Sequence, residues 1–225
     1  MVSKPVFRAV RFHPLMEWGQ NKLRPLKNIQ YPHINMPAVA VGRGDVVIDC
    51  GANVGSVASR FARTGATVFA FEPNPVCYKI LTERFAMLRT VRCLNKGVAS
   101  RRCTMTLRTP RAHNIWDDID VTVSGSFVAA ATSPYSDCIE TEIECVDLSN
   151  FIQEIGHVKL LKLDIEGSEI EVINGLIDTD AIAHVDYALV ETHERFSDEL
   201  RNATEALRKR IERLGLTDKI NLNWD

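Results

Sequence analysis

Two short blocks of this chain carry the side chains best suited to proton transfer or metal ligation. One is Lys159-Leu-Leu-Lys162-Leu-Asp164-Ile-Glu166-Gly167-Ser168-Glu169, and the other is Val190-Glu191-Thr192-His193-Glu194. Each closes an apolar, strand-like run, Val158–Leu163 and Val185–Val190. Side chains alternate along a strand, so Lys162, Asp164 and Glu166 share one face, as do Glu191 and His193. If the two strands are neighbours, Asp164, Glu166, Glu191 and His193 gather at one end of a sheet. Three chemistries suit that set. His193 or a carboxylate could take a proton from a hydroxyl. Asp164, Glu191 and His193 could hold a divalent cation through oxygen and imidazole ligands. The acids could also be helix caps, since Glu166 and Glu169 flank a helix start where the dipole favours anions.

A second constellation lies earlier. The run Asp45-Val-Val-Ile-Asp49-Cys-Gly51-Ala-Asn53-Val-Gly55 is a buried strand followed by a glycine turn. Gly51 can adopt a backbone geometry closed to other residues and leaves room for a ligand's carbon skeleton. Gly55 lets the next helix approach the strand, and Asn53 suits an N-cap. The pattern lacks the middle glycine of the dinucleotide fingerprint, which counts against close approach of a pyrophosphate. Asp49 would repel phosphate as well, but it suits a ligand bearing an ammonium group, such as the amino acid end of S-adenosylmethionine. The next strand ends Phe69-Ala-Phe71-Glu72-Pro73-Asn74, with Glu72 21 positions after Gly51. A carboxylate there can accept both hydroxyls of a ribose. Together the two features favour an adenosine ligand.

The elements that must position these groups follow from periodicity. Strands are expected at Val46–Cys50, Thr67–Phe71, Val91–Leu94, Val158–Leu163 and Val185–Val190, and over 219–224. Helices are expected over 53–63, 75–89, 168–176 and 197–214. Strands alternating with helices imply an α/β fold, a mainly parallel sheet with helices on both faces. Residues 98–147 break the rhythm: 103–108 and 139–146 alternate like antiparallel strands around a polar loop over 109–137. A loop that long suits a lid or substrate wall. Its Asn114, Trp116 and Ser126 are candidate substrate contacts, although a lone tryptophan is more often a packing group. Residues 1–43 carry Pro5, Pro14, Pro25, Pro32 and Pro37, spaced so that no single long helix can form. They read as an extension or cap ahead of a domain over 44–225.

Composition narrows the classes. The chain has 225 residues, 45% of them hydrophobic, and a formal net charge of −2. Disorder is disfavoured. No excess of positive charge is present to hold a nucleic acid. No apolar run reaches the ~20 residues of a membrane span. Six scattered cysteines without a CxxC pair read as buried thiols, and with no leader-like start they point to the cytoplasm. Oligomeric state cannot be read from the sequence.

Taken in order, the blocks Asp49-Cys-Gly-Ala-Asn-Val-Gly55, Phe71-Glu72-Pro-Asn-Pro75, Lys162-Leu-Asp164-Ile-Glu166-Gly167-Ser-Glu169 and Glu191-Thr-His193 resemble the FkbM-type methyltransferases. The resemblance runs from about Gly44 to the C-terminus. It implies a Rossmann-like class I methyltransferase fold, seven-stranded in most members. It also implies methyl transfer from S-adenosylmethionine, usually to a hydroxyl of a sugar, glycan or secondary metabolite. It places Asp49, Gly51, Asn53 and Gly55 near the methionine part of the cofactor and Glu72 on the ribose. Asn95 is the candidate beside the adenine, where many such enzymes carry an acid. Against that resemblance stand two other classes, a nucleotide-dependent oxidoreductase and a catalytically silent adenosine-binding module. Titration with S-adenosylmethionine and with NAD separates the first, and methyl transfer to a hydroxyl-compound panel separates the second.

Overall fold

The structure is a computed structural model, and it describes residues 39–110 and 138–224. The central sheet has six strands: β1 (Val46–Cys50), β2 (Thr67–Phe71), β3 (Val91–Leu94), β7 (Val158–Leu163), β8 (Val185–Val190) and β9 (Ile220–Asn221). Their order is β3-β2-β1-β7-β8-β9, and every pairing is parallel. A parallel sheet must be covered on both faces, and the sequence meets this with unbroken apolar strands. Alternate residues feed two separate cores. Ile48, Cys50, Leu161 and Leu163 belong to one, while Val47, Val68, Leu160 and Leu189 belong to the other. By the same alternation Asp49 and Lys162 face the second core, the only charged side chains of β1 and β7 buried at 0% and 2% exposure.

The described helices are α1 (Ala58–Ala62), α2 (Pro75–Phe85), α3 (Leu148–Ile155), α4 (Glu169–Asp178) and α5 (Asp198–Arg213). Three differ from expectation. Helix α1 occupies only part of 53–63, because Asn53 (φ 53°) and Gly55 (φ 86°) are left-handed and hold the chain in turns until Val57. Asn53 is therefore not an N-cap; its Oδ1 accepts instead from the next backbone N–H, at Val54. Helix α2 ends at Phe85, short of residue 89, and starts as a proline-led helix should, with Asn74 Oδ1 accepting from Val76 N–H. Helix α3 lies outside the expected set. Asp147 caps it, and Leu148 and Ile152 bury one stripe. The final strand shrinks from 219–224 to Ile220–Asn221, so the described sheet has six strands where the resemblance implies seven.

Between β3 and β7 the chain builds a second sheet, β4 (Gly97–Ala99), β5 (Cys103–Pro110) and β6 (Cys138–Asp147), ordered β4-β6-β5. β5 and β6 are antiparallel as the alternation predicts, whereas β4 runs parallel to β6. The six cysteines are free thiols. Among the described residues no helix is long and apolar enough to cross a membrane.

Candidate active site

Chain order reverses direction between β1 and β7: β1 leads outward to β2 and β3, while β7 leads to β8 and β9. In an open α/β sheet such a switch point leaves a crevice at the carboxyl ends of the strands. An open cleft lies there, about 560 Å³ with the space open to solvent included. Gly51, Asn53, Glu72, Asp164 and Glu166 stand on its wall with Asn74, Lys96 and Leu107, the last two supplied by the second sheet and the turn before it. Asn114, Trp116 and Ser126 lie outside the described residues.

The glycine turn is shaped by its neighbours in the fold. Gly51 has φ +75°, and its N–H and that of Ala52 donate to the Phe71 carbonyl at 3.0 and 2.9 Å. A Cβ on Gly51 would sit 1.8 Å from the Asp164 carbonyl oxygen. The room Gly51 leaves is thus filled by the end of β7, not by a ligand skeleton. Gly55 has a similar explanation. A Cβ there would meet Phe85 at 2.5 Å and Leu81 at 2.8 Å, so it admits the side chains of α2 rather than bringing α1 onto the strand.

Glu72 is 6% exposed. Its Oε2 accepts from Asn53 N–H at 2.6 Å and its Oε1 from Asn74 N–H at 2.8 Å. Burial pushes its carboxyl up to about 7, with the two backbone N–H groups pulling the other way. Each oxygen keeps an acceptor site for a vicinal diol. The Asn95 amide donates to the carbonyls of Glu72 and Pro73 at 2.8 and 3.0 Å. It fixes the end of β2 and is not on the cleft wall.

Asp49 does not reach the cleft. Both its oxygens are buried without a hydrogen bond, and the ammonium facing it belongs to the protein: Lys162 Nζ lies 3.4 Å away. Lys162 donates to the Gly51 carbonyl at 2.7 Å and the Cys50 carbonyl at 3.2 Å, and pairs with Asp164 Oδ2 at 3.1 Å. Burial works to lower the Lys162 pKa, but Asp164 and Asp49 outweigh it and hold it above the ordinary lysine range. Burial also pushes the Asp49 carboxyl up, against the pull of Lys162. One ammonium therefore ties the glycine turn to Asp164.

The later blocks converge on His193, which is 3% exposed. Its Nε2 lies 3.7 Å from Asp164 Oδ1, 3.5 Å from Glu166 Oε2 and 3.6 Å from Glu191 Oε1. Its Nδ1 lies 3.1 Å from the Glu191 carbonyl and 3.1 Å from Glu169 Oε1. Burial favours the neutral ring, but the Glu169 hydrogen bond and charge, with Glu166 and Glu191, raise the His193 pKa to about 9. An imidazole that keeps its proton to that pH presents N–H near neutrality, so it organises the carboxylates around it; a base role requires that proton to be displaced.

Glu169 has a part that sequence reasoning reads only as helix-start acidity. It is fully buried, and it accepts from Ile165 N–H at 2.7 Å and Gly167 N–H at 2.9 Å while holding His193. Its place as the last acid of the Asp164-x-Glu166-x-x-Glu169 block is the available signal. Three of the four left-handed non-glycine residues among those described, Asn53, Glu166 and His193, belong to this site. Such strain concentrates where the surroundings over-determine function.

The pattern of the methyltransferase FkbM domain matches residues 49–216. The chain belongs to that family. It is 28% identical over 174 residues to methyltransferase sdnD of Sordaria araneosa, covering 66% of each chain. It is 32% identical over 151 residues to hexuronic acid methyltransferase AglP of Haloferax volcanii, covering 66% of this chain and 56% of that one. The chain thus spans about two thirds or less of the length of these relatives. A solved structure of methyltransferase FkbM from Methylobacillus flagellatus KT aligns with TM-score 0.45 at 18% identity, covering 79% of this chain and 43% of that one.

Proposed function

We propose that this chain transfers a methyl group from S-adenosylmethionine to a hydroxyl oxygen of a sugar or another small acceptor. The observation that carries the reading is the position of two polar groups at one switch-point cleft. Glu72, at the end of β2, can receive a ribose diol, and the carboxylates around His193 stand by the end of β7, where an acceptor would approach. The glycine turn lies between them. The sulfonium is already activated, so the protein aligns acceptor oxygen, methyl carbon and sulfur, and takes up the hydroxyl proton. The O–CH3 bond forms as the S–CH3 bond breaks, leaving a neutral thioether. One of the carboxylates Asp164, Glu166 and Glu191 accepts the proton, and His193 holds them in place. The name of the Haloferax relative supports a sugar-derived acceptor. Asp164 and Glu166 on the cleft wall favour a hydroxyl over a free carboxylate.

The direct test is transfer of labelled methyl from S-adenosylmethionine to a panel of neutral sugars, uronic acids and phenols. Expected is incorporation into hydroxyl compounds and saturable binding of S-adenosylmethionine. Binding of NAD in its place would overturn the reading. His193→Ala should lower turnover at least about 100-fold, within the range for groups that manage a proton, with S-adenosylmethionine affinity nearly unchanged. Equal loss of both would remove His193 from the acceptor side.

Glu72 gives a pH prediction. Its carboxyl is held near 7 in the folded chain against 4.5 ordinarily, so its burial subtracts progressively more from stability as pH rises from 4.5 to 7, and above 7 it is ionised in place. A diol favours the ionised form. S-adenosylmethionine binding should therefore tighten about tenfold between pH 6 and 8, as expected for one group titrating near 7. Calorimetric titration of the wild type against Glu72→Gln checks this, and an equal pH slope in the variant would reassign the dependence.

A further inference from the structure

We infer that Asp164, Glu191 and His193 form a divalent-cation site whose open positions receive acceptor oxygens. The cation's part in catalysis rests on the methyl-transfer reading above, while its binding does not. One nitrogen, one Asp oxygen and one Glu oxygen lie within 4.8 Å of one another. His193 Nε2 is 3.7 Å from Asp164 Oδ1 and 3.6 Å from Glu191 Oε1. An octahedral cation with bonds of about 2.1 Å puts neighbouring ligand atoms about 3 Å apart and opposite ones about 4.2 Å apart. Small inward movements of side chains would close the set.

The tautomer of His193 is an independent observation. Nδ1 faces a backbone carbonyl and the buried Glu169 carboxylate, both acceptors in the ionised form. Nδ1 therefore keeps its hydrogen, and Nε2 is the nitrogen a cation would take by displacing the second proton of the ring. Nε2 makes no hydrogen bond among the described residues, although the ring is 97% withdrawn from solvent on its 3% exposure, and it points into the carboxylates. A carboxylate fixing the far nitrogen of a histidine is the usual support for a ligating imidazole. Asp164 is likewise fixed from behind by Lys162, which leaves Oδ1 on the His193 side. Glu166 Oε2, 3.5 Å from Nε2, lies within reach as a further oxygen. Two carboxylates and one imidazole suit Mn2+ or Mg2+ rather than a thiolate-seeking metal. Three protein ligands leave room for two adjacent oxygens of the acceptor, so the substrate class is a vicinal diol or another chelating pair that includes the hydroxyl to be methylated. The cation lowers that hydroxyl's pKa, and its proton passes to solvent or to Glu166.

The test is titration of the metal-stripped chain with Mn2+, followed by electron paramagnetic resonance of the free ion, with S-adenosylmethionine affinity measured on the same samples. One saturable site is expected, weakened at least tenfold in His193→Ala and in the shape-preserving Glu191→Gln, with S-adenosylmethionine binding unchanged. Methyl transfer should fall on chelation and return with Mn2+ or Mg2+. Absence of saturable Mn2+ binding, or binding that survives both substitutions, overturns the site. Transfer that persists in chelator overturns the catalytic part while leaving the methyl-transfer reading intact. Mn2+ binding without any S-adenosylmethionine binding keeps the cation site and overturns that reading.

Discussion

Gly51→Ala should cost at least about 4 kcal/mol of stability, which places it among the exceptional single substitutions. Two effects add. The residue sits at φ +75°, where a Cβ alone costs ~1–2 kcal/mol. The new Cβ would also lie 1.8 Å from the Asp164 carbonyl oxygen, a backbone atom of β7 that cannot swing aside. Relief requires β1 and β7 to part where Asp164 N–H donates to the Cys50 carbonyl at 3.2 Å and Lys162 to the Gly51 carbonyl at 2.7 Å. The strain therefore enters the site itself. Gly215→Ala is the control, because Gly215 has φ +67° and no atom within 4 Å of its Cβ position. It carries the backbone cost alone. Thermal melts should show Gly51→Ala lower by about 10 °C or more and Gly215→Ala by a few degrees. Equal shifts would mean that the contact with β7 yields.

What the sequence discloses, and what it hides, follows the same division between local and tertiary causes. Strands β1, β2, β3, β7 and β8 have the expected bounds, because strands buried on both faces write themselves as apolar runs between turns. Strand β4 is three residues long, too short for any period, and it is strand only through its pairing with β6. Helix α3 carries a stripe in Leu148, Ile152 and Ile155, but it follows β6 without a glycine or proline to separate them. The acids and histidine of the site are legible by type and by their places at strand ends. Their individual parts are not. Asp49 belongs to Lys162, Asn95 to the backbone of Glu72 and Pro73, and Glu169 to His193, and each of those contacts spans elements that a linear pattern does not relate.

Lys162→Met should destabilise the fold by about 3–5 kcal/mol, the usual result of removing one member of a buried charge pair. The side chain is fully withdrawn from water, 3.4 Å from an Asp49 that has no hydrogen bond of its own and 3.1 Å from Asp164. Methionine fills similar volume beside Trp224, so packing is nearly kept and the loss is electrostatic. Asp49 is left alone in the core. Its only relief is to take a proton, and that adds a pH signature. The folded carboxyl would titrate well above its unfolded value, so the variant's deficit should shrink as pH falls toward the ordinary carboxylate range. A second substitution then separates fold from function. Asp49→Leu placed on Lys162→Met removes both charges and should return most of the stability, since apolar replacement of a whole buried pair is often neutral or better. It should not return activity. Without the ammonium, the Asp164 side chain loses its tie to the Cys50 and Gly51 carbonyls, and the carboxylate loses its fixed place beside His193. Melting curves at pH 5 and 8 and methyl-transfer rates for the two variants check both halves. A double variant that regains stability and full activity together would make Lys162 a core charge and nothing more.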